Sequence, residues 1–230
     1  MRIALLSDIH GNDIAFEAVV KDMEQFQVDH VVFLGDLVAK GPDPQACYQR
    51  MKALKPLIWL KGNTEYWLDH AMTDVLATTP ANVKLLAYYD YMVKHMDGKS
   101  MDELIGLKSK ETIQVGHFEG VCCHGSLRDV NEVMDPMHHP QPLLSQLEGL
   151  GKSFIISGHS HEQYDYLLKG VRMINPGSVG LAKSGQEGVA EYAIMEAGNS
   201  FSVDLRQVPY SLEQLNQVIA EMGFPSTVRS

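Results

Sequence analysis

Five short polar patches, each closing a hydrophobic run, constrain this chain more than any other feature. They are Asp8-Ile9-His10, Gly35-Asp36, Gly62-Asn63, His124-Gly125 and Gly158-His159-Ser160-His161. The runs ahead of them, Ile3–Leu6, His30–Leu34, Leu57–Leu60, Val121–Cys123 and Ser153–Ile156, are short, apolar and rich in β-branched residues, which predicts buried strands. In an open α/β sheet, groups beyond the carboxyl ends of the strands share one crevice, so patches distant in sequence can converge there. Together they offer seven oxygen and nitrogen donors: Asp8, His10, Asp36, Asn63, His124, His159 and His161. One Asp-x-His carries little meaning by itself, because an Asp after a strand is often a helix cap. All five patches in this order point to a metal centre. The mixture of carboxylate, amide and imidazole suits manganese, iron, zinc or nickel better than calcium or magnesium.

The first sixty residues read as β-α-β-α-β, which demands a parallel sheet with right-handed crossovers. Ile14, Ala18, Val19 and Met23 recur at helical spacing and end near Phe26, and Pro44 opens a second helix running to about Leu54. Tyr66 to Met96 reads as helical, interrupted near Thr78-Thr79-Pro80, and the segment 66–106 is expected as a cap-like element. From Thr112 the pattern turns to short strands at 112–115, 121–123, 154–157, 163–168, 171–174, 189–195 and 202–208. Ser211 reads as the N-cap of a last helix reaching Met222. Two mixed β-sheets stacked face to face and flanked by helices, a four-layer αββα sandwich, account for this order. Residues 1–230 are expected to form one domain, because the patches recur too regularly to be divided between two.

The patch order Asp-x-His, Gly-Asp, Gly-Asn, His-Gly, Gly-His-x-His resembles that of the calcineurin-like metallophosphoesterases, from Met1 to about Ser178. The segment Asn175-Pro176-Gly177-Ser178-Val179-Gly180 is similar to a turn of the small prokaryotic members. The resemblance implies two divalent transition-metal ions, manganese first. It puts Asp8, His10 and His161 on one ion, Asn63, His124 and His159 on the other, and Asp36 between them. It also implies a phosphoric ester hydrolase in which metal-bound hydroxide attacks a phosphodiester or phosphomonoester, with Asp36, His124 and Asn63 acting through the metals. Gly35 lets the backbone come close to an ion on this reading. One patch departs from the pattern: Gly62-Asn63-Thr64-Glu65 has Thr64 where many members carry histidine. A threonine hydroxyl cannot serve as a general acid near pH 7, so leaving groups that need little protonation are expected. Glu65 is expected behind the ligands.

Several other residues are candidates for substrate. Arg128 could hold a phosphate oxygen through paired hydrogen bonds, the alternative being a pair with Asp129 or Glu132. His138 and His139 are candidates for the missing acid, against the alternative of a solvated loop. Asn12 either orients a ligand or substrate or caps the following helix. His30, His70, His95 and His117 fit no ligand pattern.

A net charge of −10, with no run of lysine or arginine, argues against a nucleic-acid-binding surface. It does not argue against a phosphate substrate, because two divalent cations would outweigh Asp8 and Asp36 locally. Cys47, Cys122 and Cys123 have no metal-finger spacing and suit a reducing compartment. The opening Met-Arg-Ile-Ala-Leu-Leu is too short a run for a signal peptide or membrane span, so a cytoplasmic location is expected. The expected partner is a small phosphoester, with a nucleotide among the choices. Hydrolysis of a dinucleoside polyphosphate or a phosphoprotein is the first alternative. The second is a noncatalytic scaffold, a use of this fold in the retromer complex. The sequence leaves the oligomeric state open.

Overall fold

The computed structural model describes residues 1–70, 72, 74–198 and 201–225. Its elements in chain order are β1 (Arg2–Leu6), α1 (Asp13–Gln25), β2 (His30–Phe33), α2 (Pro44–Leu54), β3 (Ile58–Trp59) and α3 (Asn63–His70), then α4 (Pro80–Lys94) and α5 (Gly98–Ile105). The second half holds β4 (Lys110–Val115), β5 (Phe118–Cys123), α6 (Gln141–Leu147), β6 (Phe154–Ile156), β7 (Tyr164–Leu168) and β8 (Val171–Asn175), then β9 (Val189–Ala197), β10 (Phe201–Pro209) and α7 (Leu212–Glu221).

Alternation along the strands sorts these elements into layers. On β1, Ile3 and Leu5 point one way and Ala4 and Leu6 the other, all four without solvent exposure. Ile3 and Leu5 join Val32, Leu34, Ile113, Cys122, Phe154 and Ile156 in a core between two sheets. Ala4 and Leu6 join Phe16, Val19 and Met23 of α1 and Cys47, Tyr48 and Met51 of α2 in a core on the outer face. A third core packs Leu143 and Leu147 of α6 against Ile155, Tyr164 and Met173 of the second sheet. The result is helix, sheet, sheet, helix, as the hydrophobic runs require.

The first sheet has the order β10-β9-β1-β2-β3, with β1, β2 and β3 parallel and β9 and β10 antiparallel. The second has the order β4-β5-β6-β8-β7, with β5, β6 and β8 parallel. Both sheets are therefore mixed. The parallel strands β1, β2 and β3 of one sheet and β5 and β6 of the other lead into the five polar patches.

The helical segment expected as a cap carries three helices, α3, α4 and α5. α3 starts at Asn63 rather than Tyr66, so its first residue belongs to a patch. α4 instead packs outward: Tyr88 and Tyr91 contact Leu215, Ile219 and Phe224, and Met92 joins the α1–α2 core. Ala71 and Thr73, within that segment, and residues 226–230 lie outside the described residues. α6 was not legible in the sequence, being only seven residues with Pro140 before it and Pro142 in its first turn. The helix starts follow local chemistry: Asn12, Asp43 and Ser211 each accept a hydrogen bond from the backbone N–H three residues on.

Gly35 has φ of +108°, and a Cβ there would lie 2.3 Å from the nitrogen of Gly62. Its small size therefore serves the approach of two strand-end loops. Gly35→Ala combines a left-handed backbone with a backbone clash. It should cost about 2–4 kcal/mol, read as a lower urea midpoint; an unchanged midpoint would show that the two loops can separate freely.

Candidate metal centre

All seven candidate donors converge at one end of the two sheets. The first sheet supplies Asp8, His10, Asp36 and Asn63, and the second supplies His124, His159 and His161. Asp8 and His10 were expected on an extended strand end, both facing one way through strand alternation. Instead β1 ends at Leu6, and both residues have positive φ, 57° and 51°. Asp36, His159 and His161 share this left-handed conformation, with φ of 61°, 63° and 60°. Half of the ten non-glycine residues with positive φ among the described residues are thus candidate ligands, where backbone strain commonly marks function. The loops continue the sheet beyond its strands: Asp8 N–H donates to Gly35 O at 3.0 Å, His10 N–H to Asp36 O at 3.0 Å, and Gly158 N–H to His124 O at 2.7 Å.

Each histidine has one ring nitrogen fixed by a backbone carbonyl. His10 Nδ1 faces Ala39 O at 3.1 Å, His124 Nδ1 faces Leu34 O at 3.0 Å, and His161 Nδ1 faces Leu181 O at 2.9 Å. His159 Nε2 faces Asn131 O at 3.1 Å. A carbonyl only accepts, so each of these nitrogens carries the proton and the other is left as an electron-pair donor. His10 Nε2 and His161 Nε2 lie 3.1 Å apart. Asp8 Oδ1 is 3.2 Å from His161 Nε2 and 3.6 Å from His10 Nε2, yet it is buried and accepts no well-directed hydrogen bond. Two imidazole nitrogens and an orphaned carboxylate oxygen, 3.1 to 3.6 Å apart, match donors that could share one cation.

The second cluster is built around Asp36. Its Oδ1 lies 3.5 Å from His124 Nε2, which in turn lies 3.0 Å from Asn63 Oδ1. Its Oδ2 lies 3.7 Å from His10 Nε2, so one carboxylate faces both clusters. Donor atoms of Asp8, His10 and His161, and separately of Asp8, Asp36 and His124, all fall within 4.8 Å of one another. His159 stands at the margin, its ring centroid 5.2 Å from that of His124. These residues fit a pair of divalent cations in donor type and in placement.

The surroundings favour the deprotonated forms of Asp8, His10, Asp36 and His159. Burial raises the Asp8 carboxyl, but the charge of His161 outweighs it and holds Asp8 well below the usual range. Burial acts the same way on Asp36, and His124, Lys40 and two bonds from Thr64 overcome it. His10 is pushed well down by burial and by Lys40, and His159 is lowered by burial and His124. His161 is the exception: burial lowers it, but Asp8 raises it above its ordinary value.

A supporting layer sets these orientations. Asp8 Oδ2 accepts from Ser7 Oγ at 2.5 Å and from His159 N–H at 3.0 Å, which leaves Oδ1 facing the histidines. Asn175 donates to Gly158 O at 2.8 Å and Ser160 Oγ at 3.0 Å, and Ser178 Oγ donates to Asp8 O at 2.7 Å. Glu65 is buried behind the site and accepts from Asp36 N–H, Leu37 N–H and Gly62 N–H at 2.9, 2.8 and 2.7 Å. Burial and the charge of Asp36 push its carboxyl up against those three donors. Thr64 is fully buried, and both its N–H and its hydroxyl donate to Asp36 Oδ1, at 2.8 and 2.9 Å. The hydroxyl at the position that departs from the family pattern is thus committed to orienting a carboxylate.

Three expected substrate contacts are corrected. Asn12 is buried, with Oδ1 capping α1 at Ala15 N–H and Nδ2 donating to Gly180 O, so both ends of its amide are engaged within the protein. His138 is exposed and held by Asp135, with Nδ1 3.1 Å from Oδ1, and His139 is exposed beside it. Neither lines the cavity beside the centre. Arg128 borders that cavity, but its guanidinium pairs with Glu132 through two hydrogen bonds. Sequence reasoning missed Lys40, whose Nζ lies 3.9 Å from Asp36 Oδ2 and 5.8 Å from the Trp67 ring. The signal was the Asp36-x-x-x-Lys40 spacing ahead of Gly41-Pro42.

Comparisons with known proteins agree with this geometry. The profile of the Calcineurin-like phosphoesterase superfamily domain matches residues 1–200. The probable metallophosphoesterase YsnB of Bacillus subtilis is 24% identical over 199 residues, covering 86% of each chain. A metallophosphoesterase structure from Sphaerobacter thermophilus superimposes with a TM-score of 0.76 at 24% identity, over 99% of this chain and 96% of that one. A protein from Pyrococcus horikoshii OT3 gives 0.85 at 19% identity, over 99% and 95%. At these identities the structural likenesses speak for the fold.

Thr64→Val keeps the backbone bond to Asp36 but removes the hydroxyl bond. Mn²⁺ affinity should fall about tenfold by calorimetry. Unchanged affinity would show that Thr64 does not orient Asp36 for a cation.

Proposed function

This chain belongs to the calcineurin-like phosphoesterase superfamily, and from that premise we propose that it is a metal-dependent phosphoric ester hydrolase acting on small phosphodiesters or phosphomonoesters. The observation that carries this reading is the orphaned Asp8 Oδ1 facing two histidine nitrogens whose other nitrogens are fixed by carbonyls. Asp8, His10 and His161 would hold one divalent cation, Asn63, His124 and His159 the other, and Asp36 both. Such cations supply Lewis acidity toward a phosphoryl oxygen and a nucleophile from water near neutral pH. Manganese is the first choice, with iron, zinc and nickel as alternatives.

The side chains contribute position and charge. Thr64 and Glu65 hold the Asp36 loop so that both carboxylate oxygens keep their directions. Lys40 presents an ammonium at the edge of the centre, where a phosphoryl oxygen can pair with it as charge develops. Thr64 donates its hydroxyl to Asp36, and His138 is exposed outside the cavity beside the centre, so neither delivers a proton to the leaving oxygen. The leaving group then departs with its charge unprotonated by these residues. Retention of all seven donors favours an enzyme over the scaffold alternative. Among the described residues no helix is long and apolar enough to cross a membrane. All three cysteines are free and buried, which supports a cytoplasmic setting.

The test is turnover of a phosphoester panel with added Mn²⁺, dinucleoside polyphosphates included. Asp36→Asn should lower kcat at least 100-fold, because it removes one of two carboxylates shared across the centre. A panel without turnover, or a near-normal Asp36→Asn rate at limiting metal, would overturn the reading.

Leaving-group dependence provides a separate measurement. A plot of log kcat/KM against leaving-group pKa should slope steeply downward, and His138→Ala and His139→Ala should leave it within about twofold. A flat plot with chemistry rate-limiting would reveal a side-chain acid.

A further inference from the structure

Beside the candidate centre lies a cavity of about 460 Å³ between α3 and the loop that follows β5. Its walls include Asn63, Tyr66, Trp67, Met72, Arg128 and Asn131. Two of these connect it to the centre. Asn63 places Oδ1 3.0 Å from His124 Nε2, and the Asn131 carbonyl holds the ring of His159. A phosphoester whose phosphorus sits at the second cluster therefore has its remaining bulk beside this space.

The lining is specific in chemistry. Tyr66 and Trp67, both half-buried, are adjacent on the first turns of α3, three and four residues after the candidate ligand Asn63. The rest of the lining includes Ser109, Arg128, Asp129 and Asn131, which supply polar edges. Cations flank the aromatic pair: Lys61 Nζ lies 4.5 Å from the Tyr66 ring and also donates to Ile105 O, and Lys40 links Trp67 to Asp36. A purely aliphatic group would leave the polar wall unpaired. A second bare phosphate would leave the aromatic wall unused. A flat ring with hydrogen-bonding edges uses both walls.

We propose that this cavity is the subsite for a planar aromatic group of nucleobase size carried by the phosphoester substrate, with Trp67 as its stacking face. This rests on the phosphoesterase reading above and names the substrate class for it. The step at phosphorus is unchanged: water adds, the ester P–O bond breaks, and the leaving alcohol takes the proton from water.

The experiment compares two diesters that share one leaving group, thymidine 5′-(p-nitrophenyl phosphate) and methyl p-nitrophenyl phosphate, on the Mn²⁺-supplemented enzyme. The wild type should favour the thymidine ester about tenfold in kcat/KM, mainly through KM. Trp67→Ala should remove that preference and Trp67→Phe should keep most of it. A binding readout accompanies it. The chain has two tryptophans, Trp59 and Trp67, so in a Trp59→Phe background Trp67 emission should be quenched saturably by thymidine 5′-monophosphate and not by inorganic phosphate. Turnover of both diesters with no preference, or a preference that survives Trp67→Ala, overturns the subsite and leaves the phosphoesterase reading standing. Saturable nucleotide quenching with no turnover of either diester supports the subsite and counts against the phosphoesterase reading. Equal quenching by phosphate and nucleotide overturns the subsite.

Discussion

One buried carboxylate holds the candidate centre in its shape. Glu65 accepts three backbone N–H groups, two from the loop after β2 and one from the loop after β3. Those donors have no strand partner, because the loops leave the sheet at that point, and a buried N–H without an acceptor costs about 1–3 kcal/mol. A single side chain therefore satisfies all three and fixes the spacing of the two loops. Asp36, Asn63 and Thr64 take their positions from that spacing. Gly35 and Gly62 are small because the loops pack this closely: a Cβ at Gly62 would lie 2.2 Å from Asp36 Oδ1 and 2.8 Å from the His124 ring.

The centre also depends on the packing of two sheets. Four candidate donors come from the first sheet and three from the second, and the apolar core between the sheets sets their separation. The turn at Asn175–Ser178 stitches the seam, reaching Gly158 and Ser160 on one side and Asp8 on the other. No sheet holds a complete ligand set alone. Core packing and the donor geometry are one problem for this chain, and a change to Phe154 or Leu5 would be felt at the donors.

Much of this was legible in the sequence, and the reasons are physical. The apolar runs gave the strands because both faces of a central strand must be buried, and the polar patches marked where each strand meets the crevice. The layers followed from that pattern. What the sequence did not reveal depends on contacts across the chain. Asn12 offered two roles, and only the position of Gly180 decides that both of its amide ends are spent. His138 and His139 fall in the right loop, but Asp135 turns His138 outward. Thr64 read as a loss, because its partner Asp36 lies 28 residues earlier and the hydroxyl's direction is a matter of tertiary structure. Lys40 lies only four residues from Asp36, but outside a helix that spacing does not by itself imply a contact.

The left-handed backbone at Asp8, His10, Asp36, His159 and His161 has a consequence for how such a centre can change. Aspartate, asparagine and histidine are among the non-glycine residues that enter this conformation most readily, and they are also oxygen and nitrogen donors. The loop geometry thus filters the donor alphabet before any cation is considered. Cysteine or glutamate at these positions would meet a backbone penalty as well as a change of reach, and glycine would relax the loop but offer no donor. A drift toward a thiolate-rich, zinc-selective site is closed to single substitutions here. The hard and borderline character of the donor set is inherited from the turns that present it.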